Sequence, residues 1–245
     1  MRFIVTRPET DAGAVAAALA QAGHEVVLAP LIAIVGRAAS IPHRDYQAVL
    51  VTSANGARAL ARHPDRRRLA DVAVQAVGPA SAAAMRAAGW RDVRQAGGDV
   101  KALIAEVRRD LDPAKGPLLY AGGETVSGDL EGTLGAAGFA VDRVVLYAAE
   151  PAAMLPEAAA AALAAVDDRG DVVLLYSPRT AAIWGRLVAA AGLGAAAARL
   201  RHLCLSQAVA AQVGAALPAA PVAVAERPDE AAMVALALAM GSKRR

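Results

Sequence analysis

The sequence predicts an α/β protein with two similar lobes, each built around a parallel β-sheet. Short β-branched runs alternate with alanine-rich windows of helical length, which is typical of parallel α/β units. An interleaved repeat is the second observation: RFIVTRP at 2–8 recurs as PLLYAGG at 117–123, and AVLVTSANGARAL at 48–60 recurs as VVLLYSPRTAAIW at 172–184. Because the two segments alternate along the chain, the repeat predicts two like lobes with a ligand cleft between them.

The elements follow from runs of β-branched residues and from the helical windows between them. Strands are predicted at 2–6, 25–29, 47–52, 73–77, 92–96, 117–121, 140–147, 171–176, 202–206 and 221–225. Helices are predicted at 10–22, 55–62, 80–88, 100–110, 128–137, 156–166, 180–191, 207–217 and 229–240. Ala-Gly pairs at 22–23, 88–89 and 137–138 predict helix ends, and Asp99 and Asp229 predict N-caps.

Two segments break this alternation. Residues 31–35 form an extended run with no helix after it, and residues 144–149 continue beyond the usual length of a strand. We expect 31–38 and 144–151 to form a two-stranded β ladder that joins the lobes. The first lobe would comprise 1–30 plus 152–245, and the second would comprise 39–143. One continuous sheet is the alternative, since no linker rich in glycine and serine is present.

Composition excludes several classes of protein. A hydrophobic content of 56% suffices for a buried core in each lobe. The net charge is +3, and nearly all of the positive charge is arginine, which suits carboxylate or phosphate ligands. The alternative is that the richness in alanine and arginine together reflects the base composition of the genome. Aromatic residues make up 3%, so no stacking platform for nucleic acid is expected, and the basic clusters are 66–68 and 243–245.

Cysteine usage and the chain start indicate a cytoplasmic protein. The single cysteine, Cys204, cannot form an internal disulfide, and no basic-then-apolar leader follows Met1. The longest uncharged stretch, 203–225, is interrupted by polar residues and prolines, so it is expected to form strand, helix and strand instead of a membrane span.

Cofactor fingerprints are missing. No GxGxxG follows the first strand, no GxxxxGK[ST] occurs, and no GxSxG accompanies the serines. The four histidines lack metal-ligand spacing and are interpreted as surface or core residues. We therefore expect no cofactor and no metal, which leaves a cofactor-free reaction or simple binding.

Candidate chemistry lies in the turns that lead from strands into helices. Small, hydroxyl and glycine residues there cap the next helix and leave its first amides free, so several turns together form an anion site. Helix capping is the alternative for each turn alone. The candidate ligand-binding residues are Thr6, Arg7, Thr52, Ser53, Ala54, Gly78, Ser81, Gly122, Gly123, Ser177, Pro178, Arg179 and Ser206.

These motifs, in this order, resemble the uroporphyrinogen-III synthase family. The resemblance is carried by VTRP at 5–8, TSANGA at 52–57, AVGPASAAAM at 76–85, VLY at 145–147 and YSPRTA at 176–181, and it covers essentially the whole chain. It implies a monomeric enzyme with two Rossmann-like or flavodoxin-like lobes and a β ladder. It also implies hydroxymethylbilane, a linear tetrapyrrole with eight carboxylates, as substrate, and a possible handover from hydroxymethylbilane synthase.

The family's pattern assigns roles residue by residue. Its Thr-Ser turn falls on Thr52 and Ser53, its second hydroxyl turn on Gly78 and Ser81, with serine replacing threonine, and its Ser-Pro pair on Ser177 and Pro178. A later turn reads LSQAVA at 205–210 and loses both family hydroxyls, and the turn at 121–127 lacks the usual basic residue. We expect Ser53 and Ser81 to cap helices, and we expect a side chain at Gly78 to strain its turn and obstruct the ligand.

The resemblance implies a cyclisation in which the last pyrrole ring is inverted with loss of water. Tyr147, the family's ladder tyrosine, is the candidate catalytic residue, because a phenol is protonated at neutral pH and can donate to a departing hydroxyl. A purely structural tyrosine is the alternative. Two other functions stay open at this point: a two-lobed cytoplasmic protein that binds a small polyanion, and a nucleotide-dependent Rossmann enzyme.

Overall fold

The computed structural model describes residues 1–126, 128–165 and 170–242. The chain divides into two compact units. Unit 1 contains Met1–Ala33 and Glu150–Arg245, and unit 2 contains Ile34–Ala149. Unit 1 is therefore discontinuous in sequence, whereas unit 2 is a single uninterrupted segment.

Unit 1 contains a parallel five-stranded sheet with the order β11-β10-β9-β1-β2. Its strands are β1 (Arg2–Val5), β2 (Glu25–Leu28), β9 (Val172–Leu175), β10 (Arg201–Cys204) and β11 (Val222–Val224). Its helices are α1 (Glu9–Gln21), α6 (Glu157–Ala164), α7 (Pro178–Ala190), α8 (Gly194–Arg199), α9 (Gln207–Ala216) and α10 (Glu230–Ser242).

The second sheet has six strands in the order β3-β8-β7-β4-β5-β6. Its strands are β3 (Ile32–Gly36), β4 (Ala48–Val51), β5 (Ala73–Ala76), β6 (Val93–Gln95), β7 (Leu118–Gly123) and β8 (Val141–Pro151). The helices of unit 2 are α2 (Ala54–Arg62), α3 (Pro79–Ala87), α4 (Val100–Asp110) and α5 (Leu130–Ala136), with short 3-10 helices at Pro64–Arg67 and Pro113–Lys115.

Both faces of each sheet are buried at its central strands, which explains why β1, β4, β7 and β9 are largely apolar runs. In β4, Val49 and Val51 pack into the core on one face, and Ala48 and Leu50 pack into the core on the other. The same alternation occurs in unit 1, where Ile4 of β1 joins one core and its neighbours on the strand join the opposite one. Helices cover both faces, as expected of parallel α/β folds.

The predicted α/β class is confirmed, and the strand order reproduces the interleaved repeat. In unit 1, β1 lies beside β9, and in unit 2 the repeated segment β7 lies beside β4. The predicted ladder corresponds to β3 and β8, which are neighbours. Backbone bonds from Ala152 to Leu31 (2.9 Å) and from Arg37 to Leu146 (2.8 Å) make this pair antiparallel.

Most predicted helix ends are also present. Gly23, Gly89 and Gly138 have φ values of 81°, 100° and 90°, as glycines that terminate helices commonly do. Asp99 accepts from the amide of Ala102 and so caps α4, as predicted. Helix α8 was not predicted, because residues 193–199 look like a continuation of the preceding alanine-rich turn. Val166, the predicted end of α6, lies outside the described residues.

Candidate functional site

Tyr147 and Ser53 form the central contact of the candidate site in unit 2. Ser53 follows β4 and is the N-cap of α2, where its Oγ accepts from the amide of Gly56 at 3.0 Å. The same Oγ lies 2.8 Å from the hydroxyl of Tyr147 on β8. The predicted cap at Ser53 is thus confirmed. The serine also holds the phenol of the candidate catalytic residue in one place.

Gly123 lies where the ring of Tyr147 crosses β7. The register of β7 against β8 shifts between Gly122 and Gly123, which brings Gly123 opposite Tyr147. A Cβ at Gly123 would lie 2.7 Å from Cζ and 2.9 Å from the hydroxyl oxygen of Tyr147. Such a close approach is possible only for glycine. Gly123 therefore provides the space in which Tyr147 reaches Ser53.

A second tyrosine pairs in a similar way with the residues that directly precede Ser53 and Gly123, although this tyrosine lies on β7 and not on β8. The hydroxyl of Tyr120 lies 3.1 Å from the Oγ1 of Thr52, and a Cβ at Gly122 would meet the Tyr120 ring at 3.1 Å. Tyr120 is buried, while Tyr147 is half-buried. Of these two hydroxyl pairs, the one that contains Tyr147 is better placed to contact a ligand.

A cavity of about 870 Å³ lies in unit 2 beside Tyr147. Its wall is formed by β3, the segment that follows β3, Tyr147 and one face of α2. That face carries Asn55, Ala59 and Arg62, whose spacing of four and three residues places them in line along the helix. Ala54, a predicted ligand residue, occupies the first position of the same helix and is half-buried.

Arg37, Arg62 and His63 also line this cavity, and the sequence analysis did not select them. The Nδ1 of His63 accepts from the amide of Asp65 at 3.1 Å, so its Nε2 is left to donate to the carbonyl of Ala39 at 2.8 Å. His63 thereby fixes the wall of the cavity. The spacing of 55, 59 and 62 on a predicted helix is the signal that could have pointed to Arg62.

In unit 1, the predicted residues surround the ends of β1 and β9. Ser177 caps α7 by accepting from the amide of Thr180 at 3.1 Å, and the exposed Pro178 and Arg179 follow in the first turn. Thr6 is fully buried and donates to the carbonyl of Leu174 at 2.6 Å, so its side chain packs in the core.

Arg7 has a defined place beside Tyr176. Its guanidinium lies 4.7 Å from the centre of the Tyr176 ring and is paired with Glu230 at the start of α10. Burial, the largest effect, raises the pKa of Tyr176, although the nearby Arg7 lowers it. This phenol is therefore neutral at physiological pH. Tyr176 directly follows β9, and it was not selected from the sequence as a site residue.

Two expectations about the turn before α3 are wrong. Gly78 is the N-cap, and no side chain caps this helix, so Ser81 lies buried within its first turn instead of capping it. Gly78 has a φ of −158°, an extended conformation open to any residue, and a Cβ there would meet only the Cα of Gly98 at 3.7 Å. A side chain at Gly78 would thus not strain the turn. Ser206 likewise occupies the N-cap of α9 without a side-chain cap bond.

Two features are absent from the part of the chain that the structure describes. There, no helix combines the length and apolar character needed to span a membrane. No group of three or more potential metal ligands among histidine, cysteine, aspartate and glutamate comes together in these residues. Ser127, the last residue of the turn at 121–127, lies outside them.

The fold and the site define a two-unit parallel α/β protein whose polar residues gather where strands end and helices begin. The family model described as uroporphyrinogen-III synthase HemD matches residues 13–235. The chain belongs to the uroporphyrinogen-III synthase family. It is thereby an enzyme of tetrapyrrole biosynthesis whose function is uroporphyrinogen-III synthesis and whose substrate is hydroxymethylbilane. The binding-protein and nucleotide-enzyme alternatives are not favoured.

Solved structures resemble the chain over its whole length. The uroporphyrinogen-III synthetase of Helicobacter pylori is 15% identical and aligns over 98% of this chain and 100% of that one, with a TM-score of 0.60. A mutant uroporphyrinogen III synthase of Thermus thermophilus is 17% identical over 100% of both chains, with a TM-score of 0.49. The first of these likenesses shows the fold. The comparison with curated proteins gave no match.

Proposed function

We propose that the chain acts as a carbon-oxygen lyase, a hydro-lyase, in which Tyr147 is the acid. The observation that carries this proposal is the 2.8 Å contact between the hydroxyls of Tyr147 and Ser53 at the edge of the cavity in unit 2. Since Ser53 Oγ already accepts from an amide, it can either donate to the phenol or accept from it. Tyr147 can therefore keep a fixed position while its proton points to a ligand.

The proposed reaction begins with loss of the terminal hydroxyl of the linear substrate. Tyr147 gives its proton to that hydroxyl, the carbon–oxygen bond breaks, and water leaves with the proton. The resulting electrophilic carbon is attacked by the last ring at its already substituted position, which gives a spiro intermediate. The intermediate fragments and recloses with that ring inverted, and a proton lost as the ring regains aromaticity returns to the phenolate.

Substrate positioning is proposed to rest on helix N-termini more than on side-chain hydroxyls. The first amides of α2 and α3 follow Ser53 and Gly78, and those of α7 and α9 follow Ser177 and Ser206. Amides at helix N-termini attract carboxylates and need no side chain to do so. This kind of positioning suits a reaction that must select one carbon over another.

The isomer formed is the test of this function. A deaminase would generate hydroxymethylbilane in the presence of the purified chain, with and without a chelator, and the product would be separated by isomer. Type III product in both conditions is expected, since the unassisted substrate closes to the symmetrical type I isomer. Type I product alone would refute the proposal.

We further propose that the enzyme acts as a monomer in the cytoplasm and receives its unstable substrate from hydroxymethylbilane synthase. The family resemblance supports the monomer, and the reactivity of the substrate supports the transfer. Sedimentation of the chain alone and with the synthase would test both points, with a single species of 24.8 kDa expected for the chain alone.

A further inference from the structure

The cavity in unit 2 has a cationic end that the reaction proposed above does not use. Tyr147 and the N-terminus of α2 lie at one part of its wall. Arg62, the last residue of α2, lines the cavity at the other end of that helix. Ser53 and Arg62 are nine residues apart, which corresponds to about 13 Å along a helix axis. A group held by Arg62 would thus lie well away from the phenol but in the same cavity.

The positive charge of Arg62 is not neutralised by an ion pair within the described residues. Among the residues that the structure describes, Arg62 has no ion-pair partner, and its side chain is exposed at the cavity wall. The wall also carries Asp65, whose carboxylate lies 3.7 Å from His63 and 3.9 Å from Arg68. Its negative charge is therefore shared between other partners.

Arg37 adds a second positive charge to the wall. It lies 3.5 Å from Glu124, whose side chain is 64% exposed, and exposed pairs of this kind hold their partners weakly. Arg37 can therefore exchange that contact for one with a ligand. The cavity wall presents two guanidinium groups, and guanidinium groups match the two oxygens of a carboxylate.

We propose that Arg62, assisted by Arg37, binds a carboxylate side chain of the tetrapyrrole while Tyr147 acts at the other end of the cavity. This inference rests on the proposed function, since it assumes hydroxymethylbilane as the ligand. The consequence concerns the position of the substrate in the cavity. A pyrrole ring whose carboxylate side chain is held by Arg62 lies at a fixed distance from the phenol of Tyr147. Arg62 therefore helps to determine which part of the folded tetrapyrrole contacts Tyr147.

Steady-state kinetics of the full chain test this assignment. Arg62→Gln should raise KM for enzymatically generated hydroxymethylbilane about tenfold with kcat within a factor of two, as expected when a contact made equally in the ground and transition states is lost. Arg62→Lys, which keeps the charge, should show a smaller rise. Arg66→Gln is the matched control, because it removes the same charge from the adjacent 3-10 helix at a position that does not line the cavity.

The outcomes separate this inference from the proposed function. If the wild-type chain yields no type III isomer, the function fails before Arg62 is tested. If wild type is active and Arg62→Gln has the KM of Arg66→Gln, the inference is wrong, and a Lys variant as impaired as the Gln variant would also overturn it. The melting temperatures of all variants should also be measured. Values within roughly 2–3 °C of wild type correspond to a small change in stability and would show that the change in KM reports on binding.

Discussion

The hydroxyl of Tyr147 is the group on which most of the proposed chemistry depends. If it donates a proton to the substrate, Tyr147→Phe should lower turnover about 100-fold, the lower range for general acid catalysis. Stability should fall by only about 1 kcal/mol, because one half-buried hydrogen bond to Ser53 is lost. Rate, isomer ratio and melting temperature should be measured on the same variant.

Tyr46→Phe is the control for that experiment. It removes a phenol hydroxyl that lies 2.8 Å from Asp142, also on β8, and it is expected to reduce stability without a comparable loss of rate. A Tyr147→Phe enzyme with reduced melting temperature and nearly normal turnover would indicate a structural tyrosine. A loss of a few fold, with more type I isomer, would indicate that Tyr147 only helps to hold the folded substrate.

Gly123 allows the position of the phenol to be tested without removing it. Gly123→Ala adds a Cβ within 2.7 Å of the Tyr147 ring, so the ring must move and its bond to Ser53 should break. We expect turnover to fall toward that of Tyr147→Phe while the fold is kept. Gly135→Ala is a suitable control, since a Cβ there meets nothing within 4 Å. Normal turnover in Gly123→Ala would show that the precise position of the phenol does not matter.

At the scale of elements, His202 connects β10 to α7. It accepts at Nε2 from the indole of Trp184 at 3.1 Å and bonds through Nδ1 to the carbonyl of Leu200 at 3.0 Å. The bond from Trp184 requires an unprotonated Nε2 and therefore the neutral ring, whereas Nδ1–H can donate to Leu200 in either state. Burial, the dominant cause, lowers the pKa of His202 from 6.5 to about 4. Protonation therefore favours the unfolded chain, where the pKa is ordinary.

This pKa gives a signed prediction for stability. The stabilisation by neutral His202 is complete above pH 6.5 and should be lost progressively as the pH falls to about 4, with a total of about 3 kcal/mol. Urea unfolding of wild type and His202→Gln should be compared across this range. The variant should lose less stability on acidification. Parallel losses in the two proteins would assign the acid sensitivity to other groups.

Elements were more predictable than side-chain directions. Periodicity and caps located β4, β5 and α4 nearly to the residue, because apolar runs and an Asp N-cap such as Asp99 act locally. Arg62 was missed for a physical reason. Whether an arginine faces a cavity or bulk solvent depends on which helix face the sheet covers. The sequence also could not reveal that Gly123 serves Tyr147, since that contact depends on the register shift between β7 and β8.

At the scale of the whole molecule, we expect unit 2 to fold alone. Among the residues that the structure describes, its two cores draw only on residues within 39–146, which belong to one continuous segment. A fragment of residues 34–149 should therefore unfold cooperatively on heating, with a native-like far-ultraviolet spectrum. A longer fragment of residues 1–149 should show the same transition, with its first 33 residues cleaved readily by protease. A gradual, non-cooperative melt of the 34–149 fragment would contradict this prediction.

The strand order of unit 1 has a consequence for synthesis on the ribosome. β1 is made well before its partner β9, which begins only at Val172. At the usual elongation rate of about 5–20 residues per second, β1, β2 and the apolar face of α1 wait roughly ten seconds or more for that strand. During this interval unit 2 can be completed, while the N-terminal segment exposes unpaired strand edges. The nascent chain is thus most prone to chaperone binding and aggregation in the segment that precedes unit 2, although that segment is made before unit 2.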